Sequence, residues 1–223
     1  MTTRRKPRPA VDTATKTQPT QDRSRNTFEI ILKSAGELLE EVGIERFSTN
    51  LVCQRAGLTP PALYRYFPNK YALLRELGAR LMVAQDEALF EVIEQTGLGP
   101  ATPAQMLSRG MARQKAINTV TARFPGGLWI MRAMRAVPAL REVRLDSSNT
   151  VADRVFQEMR GRYPNVPEAR LRVATRLTVE LSYAATEMVL EEPGWDPDSI
   201  TRELCTMLML YFGNLDAEQA AKV

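Results

Sequence analysis

Six side chains between residues 49 and 70, Thr49, Thr59, Tyr64, Arg65, Tyr66 and Lys70, place hydroxyl, guanidinium and ammonium donors within a short stretch. Donors of these kinds suit phosphate oxygens, and an arginine also reaches a guanine edge. Two tyrosines exposed on one short helix are unusual for a plain solvent face. The alternative, that one of them packs against the preceding helix, stays open, as does a merely solvated Lys70. Other chemistry is excluded by what is missing. The 223 residues contain no histidine and two cysteines, Cys53 and Cys205. A histidine general base, a histidine-bearing metal site and a four-cysteine zinc site therefore drop out. Glu180 and Glu187 fall on roughly one helix face with no such partner beside them, which argues against an enzyme. No catalytic residue, metal or cofactor is expected, and both thiols are expected to stay reduced.

The donors need a scaffold, and the apolar spacing supplies one. Phe28, Ile31, Leu32, Ala35, Leu38 and Leu39 recur at three- and four-residue steps, predicting a helix over 25–41 that Gly43 ends. Ser48 and Thr49 can cap a second helix with Leu51, Val52 and Ala56 inside and Arg55 toward water or phosphate, closed by Gly57. Thr59 can cap a third, with Pro60 and Pro61 in the first positions, where a missing amide proton costs little. Leu63 and Phe67 are read as inward, leaving Pro60, Ala62, Tyr64, Arg65 and Tyr66 outward. Helix, tight glycine turn, helix is the spacing of a helix-turn-helix. Pro68-Asn69 separates it from a fourth helix beginning near Lys70.

The net charge of +4 is unevenly spread. Residues 1–25 hold seven basic groups, Arg4, Arg5, Lys6, Arg8, Lys16, Arg23 and Arg25, against Asp12 and Asp22. Beyond residue 80 sixteen basic groups face eighteen acidic ones. With Pro7, Pro9, Pro19 and almost nothing apolar, residues 1–24 read as a basic arm without order of its own. Both a solubilising terminus and an arm that orders on a polyanion fit that composition. The longest apolar run, Met207–Phe212, is six residues, against about 20 for a membrane helix. Met1 is followed by Thr-Thr-Arg-Arg-Lys-Pro rather than an apolar segment, so a cytoplasmic protein with no membrane partner is expected.

The run Phe47-Ser-Thr-Asn-Leu-Val-Cys-Gln-Arg-Ala-Gly-Leu-Thr-Pro-Pro-Ala-Leu-Tyr-Arg-Tyr-Phe-Pro-Asn-Lys-Tyr-Ala-Leu-Leu74 resembles the DNA-binding signature of the TetR/AcrR family of bacterial repressors. Ala56-Gly57, Leu63-Tyr64, Tyr66-Phe67, Lys70 and Leu73 carry the likeness, which is confined to this N-terminal region. The resemblance implies an all-α homodimer with three N-terminal helices on DNA and a larger C-terminal domain that binds an effector and dimerises. The expected division is a basic arm over 1–24, a helix-turn-helix domain over 25–70, and an effector-binding and dimerisation domain over 71–218. The implied function is a transcriptional repressor that holds a near-palindromic double-stranded DNA operator as a dimer and is released by a small, mostly apolar ligand. A constitutive DNA-binding regulator with no effector is the alternative.

By position, Thr49 resembles the residue that holds phosphate at the start of the second helix. Thr59 and Tyr64 resemble those that fix the recognition helix to the DNA backbone, and Tyr66 and Lys70 match further backbone clamps. Arg65 takes a variable outward position that reads bases or phosphates. Pro61 and Ala62 depart from the usual glycine and small hydroxyl residue. Both changes remove donors, so Ala62 with Pro60 or Pro61 is left to meet thymine methyls. In a dimer the two recognition helices would enter successive major grooves about 34 Å apart. Arg23, Arg25 and the arm's Arg4, Arg5, Lys6 and Arg8 would reach phosphates or an adjacent minor groove.

After residue 70 the spacing predicts helices over 70–96, from beyond the 97–103 loop to about 122, and over 128–137, 138–162, 167–191 and 198–215, with no alternating strand pattern and no repeat. By resemblance the last pair builds the dimer face, which places Leu177, Leu181, Leu204, Leu208 and Tyr211 at the interface, the chain's own core being the alternative. Trp129, Met134, Phe156 and Tyr183 are candidates to line an apolar ligand pocket, and are equally suited to filling a core. Arg132 or Arg176 would meet the carboxylate of an acidic effector, a surface Asp or Glu being the competing partner.

Overall fold

The computed structural model describes residues 11–16, 22–99 and 101–220 of the chain, the side chains at 22, 23 and 216–220 excepted. All regular structure among the described residues is helical. The order is α1 (Asp22–Arg46), α2 (Thr49–Ala56), α3 (Pro60–Tyr64), α4 (Lys70–Thr96), α5 (Pro103–Arg123), α6 (Gly127–Ala136), a 3-10 turn (Pro138–Leu140), α7 (Arg141–Arg162), α8 (Glu168–Glu191) and α9 (Pro197–Ala220). No helix among the described residues is long and apolar enough to cross a membrane.

Residues 22–69 form a small helical unit. Phe28, Ile31, Leu32, Ala35, Leu38 and Leu39 of α1 are all buried, the stripe their spacing predicts. The helix begins three residues earlier than the spacing suggests and bends at Gly43, where φ is 69°, so that one further turn reaches Arg46. Ser48, in extended backbone, caps α2 by accepting a hydrogen bond from the Leu51 amide at 3.4 Å. Gly57 closes α2 in the left-handed region at φ 65°, and the Leu58 amide donates to the Cys53 carbonyl at 3.0 Å. Thr59 stands at the head of α3 without a side-chain cap, contrary to expectation; its backbone carbonyl takes the Ala62 and Leu63 amides instead. Both cysteines are free and buried, Cys53 in the core of this unit.

Residues 1–10, with Arg4, Arg5, Lys6 and Arg8, lie outside the described residues. Residues 11–16, expected to lack order, are held against the N-terminal unit. The Lys16 amide donates to the Tyr66 carbonyl at 2.8 Å, and Asn69 Nδ2 donates to the Asp12 carbonyl at 2.7 Å.

The remaining helices form a larger bundle. Helix α5 runs antiparallel to α4, since Gln85 meets Thr121 and Gly97 meets Arg113. Helix α8 runs antiparallel to α7, with Arg144 on Glu180 at one level and Asp153 on Arg172 at another. The two units are not separated by a break at residue 70. Ala72, Leu73, Leu74, Leu77 and Leu81 of α4 share one continuous interior with Phe28, Leu63 and Phe67 on one side and Met131, Val151 and Tyr183 on the other. A smaller cluster of Phe156, Tyr163, Val166, Leu171 and Leu215 closes the far end. Arg80 of α4 grips Glu29 of α1 with both terminal nitrogens, at 2.6 and 2.7 Å, which holds the Glu29 carboxyl below its ordinary pKa.

The loop before α6 meets α1 at bare backbone. A Cβ on Gly126, whose φ is 72°, would stand 2.7 Å from the Gly36 carbonyl oxygen. Beside Gly57 nothing lies within 4 Å of the same position. Gly57→Ala is therefore expected to cost only left-handed strain, about 1–2 kcal/mol. Gly126→Ala adds a backbone clash to that strain and should lower the thermal midpoint clearly more. Paired melts followed by circular dichroism check the order.

Candidate nucleic-acid interface and inner cavity

On the outer side of α3, Pro60, Pro61, Tyr64 and Arg65 are exposed and Ala62 is half-buried. The Tyr64 hydroxyl and Thr49 Oγ1 hydrogen-bond at 3.0 Å, tying the head of α2 to the end of α3. This pair is a preset hydroxyl cluster, 39% of Tyr64 remaining accessible. Lys70 follows Asn69, whose side chain caps α4 by accepting from the Tyr71 and Ala72 amides. Its ammonium lies 5.6 Å from the Tyr71 ring centre. Arg25 sits on the exposed side of α1, and the side chain of Arg23 lies outside the described residues. Arg55 is committed to Glu41 rather than left toward a phosphate.

Tyr66 does not join this surface. Its exposure is 3%, its ring meets Phe28 edge-on at 5.7 Å, and its hydroxyl hydrogen-bonds Ser24 Oγ at 2.9 Å. The reading of Tyr66 as an outward clamp is thus corrected in favour of packing on the first helix. The reason is visible in the numbering. Leu63, Tyr66 and Phe67 stand at i, i+3 and i+4, one helical face. The Tyr66 and Phe67 amides both donate to the Leu63 carbonyl, which turns that face inward as α3 ends.

Residues 31–77 match the family model described as "Bacterial regulatory proteins, tetR family". Over this segment the chain carries a domain of the TetR type. Over 54 residues it is 41% identical to the tetracycline repressor protein class C of Escherichia coli, a stretch that is 24% of this chain and 25% of that repressor. The chain thus aligns with only about a quarter of the length of the curated relatives it matches. Solved structures extend the likeness in fold. A putative transcriptional regulator from Pseudomonas aeruginosa PAO1 superposes with a TM-score of 0.65 at 14% identity, over 89% of this chain and 93% of that one. A putative TetR-family regulator from Syntrophomonas wolfei gives 0.63 at 11%, over 82% and 93%.

The larger bundle leaves an apolar face on its last helices. Val173, Leu177, Leu181 and Met188 of α8 and Met207, Leu210 and Tyr211 of α9 are exposed, Leu177 at 54% and Leu210 at 61%. Leu177, Leu181 and Tyr211, expected at a dimer face, lie on this exposed surface. Leu204 does not: it is 4% exposed and, with Leu208, faces a cavity inside the chain. Val173, Met207 and Leu210, which sequence reasoning passed over, continue the outer face.

That cavity, of about 150 Å³, lies between α4, α5, α7, α8 and α9. Of the four aromatic and methionine candidates only Tyr183 lines it. Trp129 packs where a Gly43 Cβ would stand, 3.2 Å away, and Met134 packs on Gly78, so both seal α6 against its neighbours. Phe156 belongs to the far cluster, with the Arg172 guanidinium 4.0 Å from its ring centre. Arg132 and Arg176 pair with Glu191 and Glu180, the competing partners named for them.

The cavity's polar rim was missed by the search for soft apolar residues. Gln85, 2% exposed, donates to Thr121 Oγ1 at 2.6 Å. Gln114 Nε2 reaches Asn118 Oδ1, Thr186 Oγ1 and the Ser182 carbonyl within 3.1 Å. Ser147 donates to Asp86 at 3.0 Å and lies 3.2 Å from the Tyr183 hydroxyl. The available signal was a polar residue at an inward helical slot, as Gln85 is between Leu81 and Leu89.

Burial pushes the Asp86 carboxyl up to about 6, against a lowering by the Ser147 hydrogen bond. Because its folded pKa lies above the ordinary 3.8, the folded chain binds this proton more tightly than the unfolded chain. The penalty is complete above 6 and is relieved as pH falls toward 3.8. Asp86→Asn should therefore stabilise the chain at neutral pH, with the gain shrinking in acid; denaturant midpoints across that range test it. Tyr66→Ala, which opens the interface with Phe28, should destabilise by about 3–5 kcal/mol. Tyr64→Ala should change stability far less in the same unfolding titration.

Proposed function

We propose that the chain is a transcriptional repressor that works in the cytoplasm, holds a near-palindromic DNA operator as a homodimer, and is released by a small ligand. The observation that carries the reading is the α2–Gly57–α3 unit inside the matched segment, with the Thr49–Tyr64 hydroxyl pair, Arg65 and Lys70 on its outer side. Thr49, Thr59, Tyr64 and Lys70 hold phosphates, Arg65 reads a base or a phosphate, and Pro60, Pro61 and Ala62 offer only apolar contact. Tyr66 serves from inside, fixing the end of α3 against α1. Arg23, Arg25 and the arm add sequence-independent attraction.

The exposed faces of α8 and α9 pair with a second copy, centred on Leu177, Leu181, Leu210 and Tyr211, which sets two recognition helices for two half-sites. Residues 25–70 serve DNA and residues 71–218 serve the effector and the dimer, with α4 common to both. The inner cavity supports control by a ligand over a constitutive regulator.

Sequencing the DNA fragments that the purified chain retains identifies the operator, and anisotropy titrations on that fragment then test the residues. Lys70→Ala and Tyr64→Ala should each raise Kd about tenfold, equivalent to about 1.4 kcal/mol, with helicity intact. Lys70→Ala should also flatten the slope of log K against log salt by about 1. Normal DNA binding by both variants would overturn the assignment. Leu177→Asp combined with Leu210→Asp should yield monomers in sedimentation and weak DNA binding.

A further inference from the structure

The inner cavity adjoins a second one of about 170 Å³ that opens toward the α4–α5 loop, and Gly110, Arg113 and Cys205 stand in the wall of both. Arg109, Arg113 and Arg162 line the outer cavity, and no carboxylate does so among the described residues. Several other arginines of the bundle pair with carboxylates: Arg135 with Glu187, Arg144 with Glu180, Arg154 with Glu94 and Arg172 with Glu168. Arg113 differs. Its Nη2 donates to the Gly97 carbonyl at 2.5 Å and the Thr96 hydroxyl at 3.4 Å, while its Nε is buried without an acceptor. No described carboxylate lies within ion-pair distance of it.

A guanidinium taken out of water needs opposite charge, and neutral oxygens supply only part of it. Burial and the neighbouring charge of Arg109 together hold the Arg113 pKa below the ordinary arginine value, and the more distant Glu158 offsets them only in part. One residue of the cavity could neutralise it, Asp86, but that carboxyl sits at the opposite end. Ile93 is the α4 residue near the loop end, and the seven residues back to Asp86 span about 10 Å of helix. The wall is mostly apolar, with Leu89, Ile93, Ile117, Val151, Val155 and Leu204, and Gln114, Thr178 and Ser182 are among its polar members. A cavity of about 150 Å³ with apolar walls has the size of one that accommodates benzene.

Building on the effector reading above, we infer that the chain binds a small amphipathic carboxylic acid, its ring or short chain in the inner cavity and its carboxylate on Arg113. Arg109 in the wall of the outer cavity favours entry of the anion, and the apolar wall selects its body. The acid completes the charge of Arg113 without crowding Asp86.

Calorimetric titration of the full-length chain with sodium hexanoate and sodium benzoate tests this, using hexan-1-ol and benzyl alcohol as uncharged isosteres. At least one acid should bind tenfold or more tightly than its alcohol, and Arg113→Met should abolish that preference while alcohol binding persists. Arg113→Lys, which keeps the charge, should retain part of the preference and guards against a folding defect in the methionine variant. Equal binding of acid and alcohol, a preference that survives Arg113→Met, or no binding of any of the four at millimolar concentration would overturn the inference. DNA binding is measured separately without ligand. Its loss with acid binding intact refutes the repressor reading alone, and the reverse refutes the carboxylate site alone.

Discussion

Leu73, Leu74 and Leu77 of α4 close the interior around Phe28 and Phe67, and Gln85, Leu89 and Ile93 farther along the same helix line the inner cavity. This double burial is the constraint on which the other parts depend. Each fully buried leucine contributes about 1.5–3 kcal/mol, so neither end of α4 can leave its interior without a large loss. The Arg80–Glu29 pair adds direction, fixing how α4 is turned relative to α1. Interiors packed this closely repack between discrete arrangements rather than deform smoothly. Helix α3 has only five residues and takes its position from Leu63, Tyr66 and Phe67 against that frame.

The bundle sorts its polar groups into two populations. Most charged side chains pair across helix surfaces, where solvent keeps their individual worth small. Around the cavity the polar groups are buried and joined in short networks, Gln114 with Asn118 and Thr186, and Ser147 with Asp86 and Tyr183. Such networks fix geometry because any departure leaves a donor or acceptor without a partner in a dry place. The cavity is consequently a shaped space with fixed polar points, and the buried Gln85 and half-buried Arg113 sit on its rim.

The long helices were readable from spacing. The bounds of α4 are those the sequence predicts, and α5 through α8 begin and end within a few residues of expectation, because Gly97, Gly126, Pro138 and Pro167 interrupt periodic runs. Short elements were less so. Helix α3 is a single turn, too brief for a period to establish itself, and its exit rotated Tyr66 inward despite a hydroxyl that suggested solvent. The division of inner from outer on α8 and α9 depends on which neighbours each helix meets, which spacing alone leaves open: Leu204 and Leu208 turn to the cavity while Leu210 and Tyr211 turn away. Trp129, Met134 and Phe156 illustrate the same ambiguity, since large soft side chains fill a core as readily as they line a pocket.

The continuous interior through α4 also bears on how such a chain can be taken apart. A junction placed at residue 70, where the sequence suggests a boundary, would sever Phe28, Leu63 and Phe67 from Leu73, Leu74 and Leu77. Exchanging the N-terminal head for that of another protein would leave half of one core facing half of an unrelated one. A workable graft carries the head together with the first turns of α4, and keeps Gly36 opposite Pro125 and Gly126, the other place where the two units touch at bare backbone.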